Sequence, residues 1–204
     1  MLPEKTIERL SMYRRVLTVH QEKGNDFIYS HELASILHLT AVQIRRDVML
    51  IGYTGTQRKG YLITDLIQKI SEILDDEVSV NAIIIGMGHL GKAISNYFNS
   101  NRSNIKIIAA FDKDQTKVDR IISGIKSYHI ENLNKIIKSD NCKIAILSMS
   151  PKDAQNVADA LIYNGIKGIM NFTSVPLNVP ETVYVENYDM ITSIEKVAYY
   201  VKKN

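Results

Sequence analysis

The chain of 204 residues has a single cysteine, no tryptophan and four prolines. The lone Cys142 cannot form a disulfide within the chain, which suits a reducing compartment. No apolar run approaches the roughly 20 residues that a membrane-spanning helix needs. The first ten residues, MLPEKTIERL, lack the apolar core of a secretory signal and carry acidic residues early. We therefore expect a cytoplasmic protein that makes no contact with a membrane.

The sequence also lacks a strong excess of either charge, with 25 Lys and Arg against 22 Asp and Glu and a net charge of +3. So small an excess does not by itself indicate a nucleic-acid partner, and the distribution of the charge matters more. The hydrophobic fraction of 45% and the charged fraction of 23% are those of an ordinary globular protein. The length fits one large domain or two smaller ones.

Two halves of the chain follow different patterns. Up to about Leu74 the spacing of apolar residues is helical, whereas from Val78 onward short apolar runs alternate with helical segments. The acidic cluster 75–77 lies at the join and suits a solvated boundary. We expect one domain at 1–77, a second at 78–188 and a separate C-terminal segment at 189–204.

The second half reads as strands alternating with helices. The predicted strands are Val80–Ile85, Ile105–Phe111, Ile125–Tyr128, Lys143–Leu147, Gly168–Phe172 and Val183–Val185. The predicted helices run from the glycine turn to about Phe98, over Glu131–Lys138 and over Lys152–Tyr163. Continuous apolar strands that alternate with helices indicate a parallel sheet covered on both faces. The pattern therefore predicts an α/β domain with a doubly wound Rossmann sheet.

The stretch IIIGMGHLGKAI holds a glycine-spaced turn between a predicted strand and a predicted helix. Its six residues are Gly86, Met87, Gly88, His89, Leu90 and Gly91. Asp112 follows 21 positions after Gly91, at the end of the next strand. This arrangement is typical of a dinucleotide site, in which the first glycine allows the turn and the second lets the backbone approach the pyrophosphate. The alternative is a Rossmann-like sheet whose turn binds nothing.

Asp112 would accept hydrogen bonds from the ribose hydroxyls and repel a 2′-phosphate, which favours NADH/NAD⁺ over the phosphorylated cofactor. The adjacent Lys113 either faces solvent or offsets part of that repulsion. His89 is expected to lie beside the phosphates as a partly exposed residue rather than to act as a catalytic base.

The first half predicts three helices followed by a basic hairpin. The helices run from about Lys5 to Lys23, from Ser30 over HELASILH, and after Thr40, which forms a capping box with Gln43. The stretch TGTQRKGYLI is predicted as a turn between two short strands. This order of elements is typical of a winged helix-turn-helix domain.

Positive charge is concentrated in the third helix and the hairpin. Between Thr40 and Leu62 there are four basic residues and a single acid, Asp47. A recognition helix needs small or amide residues at its start and arginines to hold phosphate or guanine. The predicted DNA-binding residues are Thr40, Gln43, Arg45, Arg46, Arg58 and Lys59. The alternative is a small helical dimerisation domain with a solvated basic face.

In these motifs the chain resembles the Rex family of bacterial redox-sensing transcriptional repressors. The motifs are Thr6-Ile7-Glu8-Arg9-Leu10, Val42-Gln43-Ile44-Arg45-Arg46-Asp47, Gly60-Tyr61, the glycine turn, Phe111-Asp112, Gly165-Ile166-Lys167-Gly168-Ile169 and Val185-Glu186-Asn187. The resemblance covers nearly the whole chain. It implies a winged helix on double-stranded DNA at an inverted repeat, a Rossmann domain that binds NADH or NAD⁺, and a homodimer with a swapped last helix.

The C-terminal segment carries an apolar stripe at helical spacing. Met190, Ile194, Val197 and Val201 follow one another at intervals of four, three and four. The stripe either packs on its own sheet as a final Rossmann helix or forms a dimerising helix, and the resemblance favours the second. The resemblance further implies that Tyr97 reaches the partner's nicotinamide pocket and that Asp189 pairs with Arg15 in one state of a switch.

Catalytic groups are not assembled anywhere in the sequence. The five histidines are scattered without metal spacing, and neither they nor Cys142 form an acid–base pair with another residue. We therefore expect a sensor that NADH releases from DNA, with no catalytic residue and no metal. Two alternatives stay open, namely a small NAD-dependent oxidoreductase with a regulatory domain, and a DNA-binding protein that senses another nucleotide such as a coenzyme A derivative.

Overall fold

The chain folds into two compact units, Met1–Glu77 and Val78–Asn204. The computed structural model describes residues 2–56, 58–75, 79–100 and 105–202. Within these ranges no helix is long and apolar enough to cross a membrane.

The first unit is helical, with one small antiparallel sheet. Its elements are α1 (Glu4–Glu22), β1 (Phe27–Ile28), α2 (Ser30–Leu37), α3 (Ala41–Leu50), β2 (Tyr61–Leu62) and α4 (Ile63–Leu74). Along α1 and α4 the buried residues follow one another at intervals of three or four. The buried apolar residues of the four helices form a single core, which includes Leu10, Tyr13, Leu17, Leu33, Ile44, Val48, Ile63, Leu66 and Ile70. The amphipathic pattern of the four helices thus accounts for the packing of this unit.

The three predicted helices of this unit are confirmed, and the predicted hairpin is confirmed only as a turn that Thr56 and Gly60 close with two backbone hydrogen bonds of 2.9 Å. β2 pairs with β1 rather than with a strand on the other side of the turn, and Thr56 and Gly60 form only an isolated bridge. Gly60 has a positive φ of 76° and lies so close to β1 that a Cβ there would be 2.5 Å from the Ile28 carbonyl oxygen. The strand that pairs with β2 is therefore β1, and no segment of the turn that the structure describes takes that place. The helix α4 was not predicted.

The second unit is a seven-stranded sheet with helices. The strands are β3 (Val80–Ile85), β4 (Ile105–Asp112), β5 (Arg120–Ile122), β6 (Ile125–His129), β7 (Ile144–Leu147), β8 (Gly168–Asn171) and β9 (Tyr184–Asn187). The helices are α5 (His89–Ser100), α6 (Leu133–Ser139), α7 (Ala154–Tyr163) and α8 (Met190–Val201). The strand order is β5-β6-β4-β3-β7-β8-β9, and every neighbouring pair is parallel except β5 and β6.

The doubly wound Rossmann fold is confirmed by this order. The chain leaves β3 toward β4 on one side and later returns to β7 on the other side, so β3 marks the point where the strand order reverses. Ligands of open α/β sheets bind in the crevice at the carboxyl ends of the strands at such a point. The unpredicted strand β5 forms a hairpin with β6 through Ser123 and Gly124, whose positive φ angles of 51° and 77° suit a tight two-residue turn.

Helix α8 is unlike the other helices because none of its residues is buried. Met190, Ile194, Val197 and Val201 are each more than half exposed. The alternative in which this stripe packs on its own sheet as the last Rossmann helix is therefore wrong for this structure.

Candidate functional site

The glycine turn has the geometry that a phosphate-binding turn requires. Gly86 has a positive φ of 96°, and a Cβ there would lie 2.7 Å from the Ser148 carbonyl oxygen. A Cβ on Gly91 would collide with the carbonyl oxygen of Gly86, so helix α5 and the turn pack at a distance that only glycine permits. A Cβ on Gly88 would meet no atom within 4 Å, so this glycine borders open space. The first and third glycines are thus structural, and the second leaves room for a ligand.

Asp112 is tied to the same turn. Its Oδ2 accepts a hydrogen bond of 2.9 Å from the backbone N–H of Met87, and its Oδ1 accepts one of 3.0 Å from the N–H of Asp114. Lys117 adds an ion pair at 3.3 Å. Burial raises the pKa of Asp112, but the two N–H groups and Lys117 outweigh it and hold the pKa below the ordinary value. The carboxylate is therefore ionised at neutral pH.

A cleft of about 490 Å³ opens where the turn and Asp112 meet. Its lining residues are Ile85, Gly86, Gly88, Phe111, Asp112, Lys113, Lys117, Ile130, Ser148, Met149, Ser150, Asp153, Asn156 and Val157. The volume is within the range of small-ligand and cofactor sites. The cleft lies at the carboxyl ends of β3, β4 and β7, where the strand order reverses.

Several residues of this cleft were missed by the sequence analysis. Asp153 forms an ion pair of 2.9 Å with Lys113, which was predicted and whose side chain is 71% exposed to solvent. Ser148, which follows β7, donates a hydrogen bond of 2.9 Å to the Gly86 carbonyl oxygen and so fixes the turn. The only signal in the sequence was position, since Ser148 directly follows a predicted strand and Asp153 lies at the start of the next predicted helix.

The other predicted residues of the turn differ in their exposure. His89 is exposed at the first position of α5, and Leu90 is half-buried. Met87 is fully buried in the core on the α5 side of the sheet, and its backbone N–H donates to Asp112. Tyr97 lies on α5 and is exposed.

The start of helix α3 is fixed by Thr40 as predicted. The Thr40 hydroxyl accepts a hydrogen bond of 3.1 Å from the backbone N–H of Gln43. The reciprocal half of the predicted capping box is absent, because the Gln43 side chain donates instead to Asp47 at 2.9 Å.

Asp47 is buried in a network that joins α3 to α1. Arg9 donates two hydrogen bonds to its carboxylate, at 2.6 and 2.8 Å, and the Tyr13 hydroxyl donates a third at 2.7 Å. Burial raises the pKa of Asp47, but the bonds from Arg9, Tyr13 and Gln43 outweigh it and lower the pKa. The single acid among the basic residues of this segment is therefore neutralised inside the unit, and its charge does not reach the surface.

The basic residues themselves are exposed. Arg45 and Arg46 lie on the outward face of α3, and Arg45 donates a hydrogen bond of 3.1 Å to the Ser30 hydroxyl. At the turn before β2, the Lys59 ammonium lies 5.3 Å from the centre of the Phe27 ring. The adjacent Arg58 is exposed, and its carbonyl oxygen accepts a bond of 2.7 Å from the Tyr29 hydroxyl. The outward face of α3 and the turn thus carry positive charge only.

The two residues assigned to a switch lie in different units. Arg15 is exposed on α1. Asp189 is the N-cap of α8, and its carboxylate accepts bonds of 2.9 and 3.2 Å from the backbone N–H groups of Ile191 and Thr192. The described residues include no cluster of histidine, cysteine or acidic side chains that could hold a metal ion.

Known proteins match both units. Residues 1–48 match a family model described as "Putative DNA-binding protein N-terminus", and residues 77–175 match one described as "CoA binding domain". The chain is 34% identical over 200 residues to a redox-sensing transcriptional repressor Rex of Lactobacillus acidophilus, with 98% of this chain and 95% of the relative covered. The chain belongs to the Rex family. The resemblance on which the sequence analysis relied is thereby confirmed.

Solved Rex-family structures share the fold over the whole chain. The structure of the repressor RSP in complex with β-NAD⁺ and operator DNA is 32% identical, with a TM-score of 0.92, and covers 100% of this chain and 94% of RSP. The structure of RSP with β-NADH is 31% identical, with a TM-score of 0.88, and covers 100% and 95%.

Proposed function

We propose that this Rex-family protein represses transcription by binding an inverted-repeat operator as a homodimer and leaves the operator when NADH replaces NAD⁺. The observation that carries the proposal is the joint presence of a cleft built on a glycine turn and of an outward face on α3 whose only charges are positive. Its relative RSP binds β-NAD⁺ together with operator DNA, and also β-NADH. Because the bacterial repressors to which it is related act on DNA in the cytoplasm, we assign the protein to that compartment.

The residues of the cleft fit a dinucleotide. The backbone of the turn 86–91, together with the N-terminus of α5, offers N–H donors and a favourable dipole to the pyrophosphate. Asp112 is ionised, and a carboxylate has about four acceptor positions, so the ribose hydroxyls can bond to it beside the turn. Met87 contributes through its backbone and His89 lies at the phosphates. Lys113 is held by Asp153, which leaves the negative charge of Asp112 to disfavour a 2′-phosphate.

The experiment that tests this function measures operator affinity with each cofactor. A binding sequence is selected from random duplexes with the purified protein, and its affinity is measured with NAD⁺, NADH, NADPH or coenzyme A. A coupling of about 1–3 kcal/mol would weaken binding roughly 5- to 150-fold with NADH relative to NAD⁺. Equal affinity with NADH and NAD⁺ would contradict the sensor function, and a response to coenzyme A alone would favour the coenzyme A alternative, to which the description of the family model points.

A role as an enzyme is disfavoured by the chemistry of the cleft. A dehydrogenase needs a proton donor beside the nicotinamide. The described lining of the cleft includes no histidine, tyrosine or cysteine. Its two lysines are ion-paired, Lys113 with Asp153 and Lys117 with Asp112. We infer that the cleft binds the cofactor without transferring its hydride.

Binding to DNA is assigned to the exposed basic residues. Arg45 and Arg46 on α3 would enter the major groove behind the N-cap Thr40, and Arg58 and Lys59 would hold phosphate at the turn. Gln43 is held by Asp47, so it acts near the start of α3 chiefly by orienting that helix. Arg45→Ala combined with Arg46→Ala should abolish operator binding. Lys59→Ala should weaken binding uniformly across sequences and reduce the salt slope by about one.

The homodimer is assigned to helix α8. The apolar residues of α8 face solvent. Scattered apolar residues are common on protein surfaces, whereas a continuous exposed apolar stripe marks an interaction site. A second copy of the chain is the partner that the resemblance implies. Truncation before Asp189 should give a monomer in analytical ultracentrifugation, and a truncated chain that stays a stable dimer would contradict the assignment.

The switch is assigned to Arg15, Asp189 and Tyr97. Hydrogen bonds from Thr192 lower the pKa of Asp189, so its carboxylate carries a charge that can pair with an arginine. Because Asp189 also caps α8, Asp189→Ala removes both functions, whereas Asp189→Ser keeps an N-cap and removes only the charge. Arg15→Ala and Asp189→Ser should both retain operator binding with NADH present. If both release DNA like the parent, this pair is not the switch.

Tyr97 on α5 would reach the nicotinamide pocket of the partner subunit. The variant Tyr97→Phe keeps the ring and removes the hydroxyl group. It should bind NADH as the parent does if the ring alone is used, whereas Tyr97→Ala should weaken both NADH binding and release from the operator. An unchanged response of Tyr97→Ala would remove this residue from the site.

A further inference from the structure

The outward face of helix α3 carries two exposed apolar residues as well as its two arginines, and binding to phosphate explains only the arginines. Its members, at positions i, i+3, i+4 and i+7, are Val42, Arg45, Arg46 and Met49. The opposite face, which holds Ile44, Asp47 and Val48, is buried. Val42 is 65% exposed and Met49 is 67% exposed. Two apolar side chains thus flank the two arginines on the surface that the proposed function turns toward DNA.

The apolar and basic side chains of this face form one continuous surface. Val42 and Met49, with Leu50, line an open hollow of about 510 Å³ together with Arg45 and Arg46. The burial of Asp47 leaves no acid on this face, so its occupant is expected to be strongly anionic. It must also offer apolar groups between its charges, because Val42 and Met49 gain nothing from a phosphate.

The major groove of DNA combines these two properties. Phosphates line its edges, and the C5 methyl of thymine is the apolar group that its floor presents. We propose that Val42 reads the operator by packing against a thymine methyl group, an inference that rests on the proposed function. Arg45 and Arg46 hold the helix in the groove while Val42 makes the choice between thymine and cytosine.

Of the two apolar residues, Val42 is better placed than Met49 to contact a base. It lies in the first turn of α3, directly after the N-cap Thr40, and residues at the start of a recognition helix contact base edges. A valine in a helix has essentially one side-chain rotamer, so its methyl groups occupy fixed positions. Met49 lies in the last turn and has three rotatable bonds, which suits tolerant packing against the edge of the groove.

The test removes apolar groups from each side of the contact, one methyl group from the base and two from Val42. An operator is selected with the parent protein, and each thymine is replaced in turn by uracil, which pairs identically but lacks the methyl group. Burial of one such group contributes about 0.8 kcal/mol, which is about fourfold in affinity. Uracil at one or two positions should therefore weaken binding of the parent about fourfold. The variant Val42→Ala should bind the thymine and uracil duplexes at those positions equally well.

The control is Ile73→Ala, which shortens an exposed apolar side chain on α4 of the same unit. It should keep the full uracil penalty. Circular dichroism melting checks that Val42→Ala is folded, as expected for an exposed site where alanine favours the helix. The assignment of Val42 is overturned if uracil does not weaken binding of the parent, or if it weakens binding of Val42→Ala by the same factor. Either result would leave the proposed binding to an operator intact. If the parent selects no duplex at all, the proposed function fails instead.

Discussion

Asp47 and Asp112 are both buried aspartates, one in each unit, and both have a lowered pKa for different reasons. Asp47 is held by side chains, with Arg9 and Tyr13 reaching it from a helix 38 and 34 residues earlier in the chain. Asp112 is held mainly by backbone N–H groups, one from the glycine turn and one from Asp114 two residues on. The first carboxylate joins two helices, and the second joins two strand ends.

The two sets of partners indicate two roles: Asp47 is a structural carboxylate, and Asp112 is the one that we propose to bind a ligand. Asp47 is fully covered and its acceptors are used by three side chains, so it can only fix the position of α3. Asp112 is also nearly covered but lines the cleft, so its remaining acceptor capacity faces the space in which we propose that the cofactor binds. Loss of Asp47 or its partner should therefore affect stability, and loss of Asp112 should affect affinity.

The largest effect is expected from Arg9→Met, which leaves the Asp47 carboxylate buried without its cationic partner. Breaking a buried ion pair from one side costs about 3 kcal/mol of unfolding free energy. Urea denaturation followed by circular dichroism measures it, and NADH affinity, a property of the other unit, should not change. The matched control Lys69→Met breaks the exposed Lys69–Glu72 pair and should have no measurable effect. Equal stability of the two variants would show that the Asp47 network does not stabilise the fold.

The next effect is on the cofactor. Asp112→Asn keeps the shape of the side chain but loses its charge, and hydrogen bonds to charged groups contribute about 2 kcal/mol, so NADH should bind roughly 30-fold more weakly. The preference for NADH over NADPH should shrink, because the 2′-phosphate is no longer repelled. Asp114→Asn is the control, since Asp114 caps a short turn through Thr116. Calorimetric titration that gave both variants the parent's affinity and preference would exclude Asp112 from the site.

A smaller effect is expected from acid. The folded-state pKa of Asp47 lies below its unfolded value, so its stabilising contribution is complete above the ordinary aspartate pKa of about 3.9 and is lost as the pH falls through the folded value. The variant Asp47→Asn should therefore lose less stability than the parent between pH 5 and the acid limit of about pH 2. Parallel curves of unfolding free energy against pH would contradict this. The comparison is made by urea denaturation at each pH.

No effect is expected from the one thiol. Burial, with the nearby charge of Asp140, raises the pKa of Cys142 to about 11, so the thiolate that reacts with oxidants is scarce at neutral pH. Cys142→Ala should respond to NADH as the parent does, and mild peroxide should leave the operator affinity of both unchanged. A peroxide response in the parent that disappears in Cys142→Ala would make this protein a thiol sensor as well.

The sequence by itself predicted the features that depend on neighbouring residues. The strand, glycine turn and helix around 80–100 lie within one short stretch, and the requirement for glycine at 86 and 91 follows from backbone geometry alone. The alternation of apolar runs likewise predicted most strands of the Rossmann sheet. Helix α4 and strand β5 were missed because the first follows directly on a short strand, and the second is only three residues long.

Tertiary structure decided which side chains meet. Three contacts join residues 33 to 40 positions apart, namely the pairing of β1 with β2, the burial of Asp47 by Arg9 and the ion pair of Lys113 with Asp153. Helical spacing places Asp47 beside Ile44 and Val48 on the apolar face of α3, but it does not reveal the donors on α1 that make the burial of a carboxylate possible. The sequence thus determined that α3 is basic and amphipathic and that a glycine turn precedes α5. Packing determined that the only acid of that basic segment is hidden, because a carboxylate can be buried only where donors from a distant helix surround it.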